Sequence, residues 1–175
     1  MRSATSEADI FKDDTQEDTQ KGRFLSLSLS EEVFALEIKY VTEIVGVQPI
    51  TPIPEVPDYV KGIINLRGKI IPVIDMRLKF KKPSTEYTDR TCIIVVDIEQ
   101  VSVGLIVDNV VEVVSIPDKD IVPPPDYRTG IQNRYIKGIG MVETKVILLL
   151  DCKKILSKDD IEDVLEIQKV RGDLL

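Results

Sequence analysis

The chain has 175 residues, 43% of them hydrophobic, enough to bury a core as one domain or two coupled lobes without staples. A net charge of −7 and the absence of Trp argue against a general grip on phosphate backbones or stacked bases. The absence of His excludes a phosphoaccepting His, a His general base and a His metal ligand, and neither G-x-S-x-G nor a Walker sequence occurs. In chain order, residues 1–20 hold six acidic and two basic side chains and read as a disordered acidic tail. That tail carries −4 of the net charge; the remaining −3 is spread over a chain in which no basic patch is visible. From Phe24 the pattern alternates, with Leu25, Leu27 and Leu29 on one face and Ser26 and Ser28 on the other, as in a half-buried strand. Residues 33–38 alternate again after a short polar break, which predicts an antiparallel hairpin. Pro49, Pro52, Pro54 and Pro57 then exclude a helix and predict an extended loop. The stretch IINLRGKIIPVID at 63–75 predicts a second hairpin whose turn carries Arg67 and Gly68. Cys92, inside TCIIVV, reads as a buried structural thiol, and Cys92 and Cys152 form no C-x-x-C pair. No apolar segment resembles a signal peptide or a membrane span, so a cytoplasmic protein is expected.

The second half repeats this plan. Residues 61–80 align without gaps to 137–156, an offset of 76, with Lys61, Gly62, Ile63, Lys69, Ile71 and Asp75 recurring as Lys137, Gly138, Ile139, Lys145, Ile147 and Asp151. Residues 23–45 align to 92–114 with an offset of 69, matching Leu36, Val41, Glu43 and Val45 to Leu105, Val110, Glu112 and Val114. Each copy offers about five short strands and a closing helical turn, MRLKF or CKKIL, which predicts two small barrels sharing a seam. The first barrel is expected at about 21–86 and the second at about 87–156. Ser157-Lys158-Asp159-Asp160 has the form of a helix start, so a terminal helix over about 158–170 is expected to pack on a barrel.

Where the first copy has Asn65-Leu66-Arg67-Gly68, the second has Met141-Val142-Glu143-Thr144. A turn common to both copies does not demand an arginine. An arginine beside apolar neighbours offers a planar fork of donors and an anchor for a partner helix. Asp75 and Asp151, repeated at the ends of strands, are read as caps of the turns that follow, and Gly62 and Gly138 as backbone bends at barrel corners.

Through VKGIINLRGKIIPVIDMRLKF, VGLIVDNVVEVVS and YIKGIGMVETKVILLLD, the chain resembles the CheW-like family of bacterial chemotaxis adaptors over nearly everything from residue 21 to about 156. It departs modestly in Met76, where Leu is usual, a substitution that conserves volume. The resemblance implies an all-β fold of two five-stranded barrels around a common hydrophobic core, with no catalysis and no cofactor. It further implies a bridge between the cytoplasmic helical tip of chemoreceptors and the regulatory domain of the histidine kinase CheA, in the cytoplasm at membrane receptor arrays. Carried over by motif, the receptor groove would involve Val41, Glu43, Asn65, Leu66, Arg67 and Val113, with Gly68 serving the turn. The kinase contact is expected at the ends of the first barrel, without assignable residues.

A starting Met, a private tail and no trailing domain favour a stand-alone adaptor over the same module within a larger kinase or a receiver-containing adaptor. A small β-barrel enzyme or ligand-binding protein would require a pocket with convergent polar groups, and the sequence points to none.

Overall fold

The computed structural model describes residues 20–124, 134–156 and 166. The strands and single-turn helices run in the order β1 (Arg23–Leu29), β2 (Glu32–Glu37), β3 (Val41–Gly46), β4 (Val60–Leu66), β5 (Lys69–Asp75), α1 (Met76–Lys79), β6 (Cys92–Ile98), β7 (Val101–Val107), β8 (Asn109–Ser115), β9 (Ile121–Val122), β10 (Ile136–Val142), β11 (Lys145–Leu150) and α2 (Cys152–Ile155). The fold is all-β, as expected. One sheet has six strands ordered β8-β1-β2-β11-β10-β9, and the other has five ordered β3-β6-β7-β5-β4.

In both sheets the chain itself joins the two edges. Beyond β3 it returns to bridge Thr51 to Ile63 on β4 through two backbone hydrogen bonds of 2.9 Å. Likewise β8 runs through a 3-10 turn at Asp118–Asp120 into β9, which pairs with β10. The result is barrel-like closure, which removes the sheet edges.

The expected boundaries of 21–86 and 87–156 do not bound these two units. Hairpin β1–β2 joins β8–β11 of the second half, and hairpin β6–β7 joins β3–β5 of the first. The repeat is real, but its halves exchange their first hairpins. Parallel pairing makes this exchange: Val73 opposes Gly104 across β5–β7, and their repeat counterparts Leu149 and Ala35 oppose one another across β11–β2. The antiparallel pairs agree, with Leu25 opposite Val113 and Ile94 opposite Ile44.

Each barrel has a small apolar interior, built from Phe24, Ala35, Val114, Ile147 and Leu149 in one and from Ile64, Ile71, Val73, Ile93 and Ile106 in the other. A larger cluster fills the seam, drawing on Leu25, Leu27, Leu29, Phe34, Ile74, Phe80, Ile94, Val103, Leu105, Tyr135 and Leu150. Ring centroids there stand 5.4 Å apart for Phe34–Phe80 and 5.5 Å for Phe80–Tyr135, a spacing at which aromatic pairs add about 1 kcal/mol beyond area burial.

Strand β1 is therefore buried on both faces rather than half-buried. Its leucines face the seam, while Ser26, 2% exposed, faces the other way. A bulge between Leu25 and Leu27 leaves Glu112 out of the ladder, and Ser26 Oγ donates to its carbonyl at 2.8 Å and accepts from its N–H at 3.1 Å. Cys92 is half-buried rather than buried, at the start of β6; Cys152 is the buried thiol, and its burial pushes its pKa up to about 12. The acidic tail, except Gln20, and the helix expected at 158–170, except Glu166, lie outside the described residues.

Candidate partner-binding site

The β4–β5 hairpin turns at Arg67 (φ 54°) and Gly68 (φ 85°), the paired positive φ values of a type I′ turn. Gly68 enters this region without a Cβ penalty, and its N–H donates to Asn65 Oδ1 at 2.8 Å. Asn65 and Gly68 thus serve the turn itself. At the matching tip between β10 and β11, Glu143 has φ 57°, so the left-handed position accepts either charge and backbone geometry does not explain the arginine.

Arg67 Nη2 donates to Glu43 Oε2 on β3. β3 and β4 are opposite edges of their sheet, so the ion pair clasps the barrel where those edges meet. The side chains are 70% and 30% exposed, and solvent screening holds such a pair to about 0–1 kcal/mol. The clasp contributes little stability and presents much charge.

A shallow groove of about 290 Å³ runs beside it, lined by Thr42, Leu66, Lys69, Ile71 and Ser102. Thr42 Oγ1 donates to the Val95 carbonyl at 3.0 Å, at the bulge between Val41 and Glu43. Lys69 Nζ donates to Ser102 Oγ at 2.7 Å, and that hydroxyl donates to Asp97 Oδ1 at 2.5 Å. Lys69, Asp97 and Ser102 were not expected at the site. Lys69 stands next to Gly68 in sequence, but Asp97 and Ser102 reach the groove only through the exchange of hairpin β6–β7.

The structure joins Glu43 and Arg67 directly and places Asn65 and Leu66 on the same hairpin, with Leu66 packed on the interior of the five-stranded barrel. Val41 is half-buried against the seam cluster. Val113 stands on β8 of the other sheet, 44% exposed, at the repeat position of the equally exposed Ile44 beside Glu43. Of the six expected residues, Glu43, Asn65, Leu66 and Arg67 therefore form a charged clasp with its hairpin, Val113 is a separate apolar position, and Val41 packs into the seam. Gly62 (φ 143°) sits where the edges meet: a Cβ there would lie 2.1 Å from the Thr51 carbonyl oxygen. Gly138 stands at the matching place against β9, so both glycines mark close approach rather than a bend alone. Asp75 and Asp151 cap α1 and α2 as expected, accepting from Arg77 and Leu78 N–H and from Lys153 and Lys154 N–H.

Among the described residues no cluster of three His, Cys, Asp or Glu could hold a metal, and no helix is long and apolar enough to cross a membrane. The groove is open, and its mixed lining suits contact with a macromolecule.

The CheW-like domain family model matches residues 23–160. The chain belongs to the CheW-like family. A chemotaxis protein CheW of Klebsiella aerogenes is 36% identical over 137 residues, covering 78% of this chain and 82% of that protein. The chemotaxis protein CheW of Treponema pallidum is 33% identical over 144 residues, covering 80% and 85%. The crystal structure of the scaffolding protein TtCheW from Thermoanaerobacter tengcongensis superposes with a TM-score of 0.73 at 37% identity, covering 79% of this chain and 94% of that one. The role of this CheW-like chain is accordingly that of a chemotaxis adaptor.

Proposed function

We propose that the chain couples the cytoplasmic signalling tip of chemoreceptors to the regulatory domain of the histidine kinase CheA, without catalysing a reaction, in the cytoplasm at receptor arrays. The observation that carries this reading is the Arg67–Glu43 clasp, an exposed ion pair that one repeat has and the turn geometry does not require. A receptor helix laid against it finds Ile44 as an exposed aliphatic position on the strand of Glu43, Leu66 beside the hairpin tip, and Arg67 with guanidinium donors to spare; Val113, exposed on the other sheet, is a separate apolar contact in this reading. Val41 and Asn65 support β3 and the turn from behind. The kinase domain is assigned to the ends of the first barrel, which the strand exchange defines as β3–β7.

Amide shifts of the labelled protein, recorded while a receptor tip fragment and the kinase regulatory domain are added separately, should move two distinct patches, the first centred on Arg67. Arg67→Glu should weaken receptor affinity at least about tenfold, or 1.4 kcal/mol, with an almost unchanged unfolding midpoint. The paired swap Glu43→Arg with Arg67→Glu restores the clasp but not the affinity. Unchanged affinity in the single variant, or failure to fold, would overturn the site.

A further inference from the structure

The fold gathers basic side chains that the sequence leaves scattered. Lys21 and Arg23 at the start of β1, Lys39 in the turn after β2 and Lys137 on β10 line a cavity of about 600 Å³ at one end of the six-stranded barrel. Glu37 and Asp118 are the carboxylates that face them. Glu37 is divided between two ammonium groups: its Oε2 lies 3.4 Å from Lys39 Nζ, and its Oε1 accepts from Lys137 Nζ. The local excess of positive charge stands in a chain of net charge −7. It is not a repeated feature of the fold, because Cys92 and Asp108 occupy the positions of Arg23 and Lys39 in the other copy.

We propose that the occupant of this basic cavity is the chain's own acidic segment 1–19, held electrostatically through the run at 13–18. Gln20, the residue that follows the segment, itself lines the cavity. Asp13, Asp14, Glu17 and Asp18 lie within seven residues of it, and at 3.3–3.6 Å per residue the farthest reaches about 25 Å. Each carboxylate of the run can therefore enter. A short tether gives an effective concentration in the ~mM range, which a free acidic peptide must exceed to displace it. The turn bearing Lys39 leads straight into β3, the strand that carries Glu43. The attraction is screened by salt, since the Debye length falls from about 10 Å at 0.1 M to about 3 Å at 1 M.

The test compares the full ¹⁵N-labelled chain with its full-length Asp13→Asn, Asp14→Asn, Glu17→Gln, Asp18→Asn variant. At about 0.1 M salt the amides of Lys39, Ile121 and Lys137, all remote in sequence from the substitutions, should differ between the two; at about 1 M they should coincide. A poly-glutamate peptide should move the same amides of the variant at roughly tenfold lower concentration than those of the parent. Identical spectra at low salt overturn the proposal, as do differences centred on residues 66–69. Equal response of both proteins to the peptide also overturns it, and assigns the cavity to an acidic partner instead.

Discussion

Asp75 and Asp151 occupy one repeat position and cap the same kind of helical turn, yet their surroundings differ. Asp75 is 3% exposed; its Oδ1 accepts from Arg77 N at 2.9 Å and Leu78 N at 3.3 Å, and its Oδ2 accepts from Tyr87 Oη at 2.9 Å. Burial and the Asp75 charge push the Tyr87 phenol well above its usual range, which keeps it a donor. Asp151 is half-buried and holds Lys153 N at 3.1 Å and Lys154 N at 3.3 Å. Asp151→Ala should cost about 1 kcal/mol, the loss of a cap. Asp75→Ala should cost about 0.5–1.5 kcal/mol more, because it also removes the hydrogen bond from the Tyr87 hydroxyl. Equal urea midpoints for the two variants would contradict this. A third aspartate contributes to acid stability. Burial works to raise the pKa of Asp108, but Arg77 donates to both its oxygens, at 2.7 and 2.6 Å, and Ser30 N–H adds a third bond at 2.7 Å. The net effect is a pKa below the ordinary carboxylate value. The folded state thus favours the ionised form, so this stability is present above about pH 4 and is lost as pH falls through the lowered folded value. Asp108→Asn should flatten that part of the urea-midpoint profile while leaving its shape above pH 5 unchanged.

At the scale of elements, closure of the two barrels depends on how closely the returning chain approaches a glycine. A Cβ on Gly62 would meet Thr51 backbone, oxygen at 2.1 Å and carbon at 2.7 Å, at a φ of 143°. Backbone cannot step aside without breaking the Thr51–Ile63 bridge. A Cβ on Gly138 would first meet Ile121 Cγ2, at 2.7 Å, and then the Val122 carbonyl at 3.3 Å. A side-chain methyl can yield part of that distance by changing rotamer. Gly62→Ala should therefore destabilise by more than about 3 kcal/mol, and Gly138→Ala by about 1–3 kcal/mol. Amide exchange gives a sharper reading than the midpoints: Thr51 and Ile63 should lose protection in Gly62→Ala and keep it in Gly138→Ala. The sequence marked both positions as special through their repetition. It did not distinguish them, because the difference lies in whether backbone or a side chain of a distant loop stands opposite.

For the whole molecule, the repeat in the sequence revealed the number of units but misplaced their boundaries. Alternation and internal similarity report which strands exist and which are equivalent; they carry no information on whether a hairpin packs with its own half or the other. The same limit applies to the functional surface. Arg67 was legible because its counterpart Glu143 removes the turn as an explanation, whereas Asp97, Ser102 and the Lys39–Glu37–Lys137 cluster required strands to cross between halves. The exchange also dictates how the protein must fold. A fragment ending near residue 86 would hold β1–β2 without β8 and β11, and β3 and β5 without β6 and β7. It would also expose Leu25, Leu27, Leu29 and Phe34, which the seam now buries to 3% exposure or less. Two-stranded hairpins are marginal at best in water, and the first half keeps only β1–β2 and β4–β5, the second β6–β7 and β10–β11 with the two-residue β9, so each half has little sheet to build on. Chains cut between Lys82 and Tyr87 should accordingly show no cooperative unfolding as separate halves and should regain far-ultraviolet strand signal on mixing. Phe34→Ala in the intact protein should cost about 3–5 kcal/mol and shift backbone and tyrosine signals together, since one seam serves both barrels. A half that unfolds cooperatively by itself would show that its strands can build a stable sheet without the hairpin supplied by the other half, and the exchange would then not be required for folding.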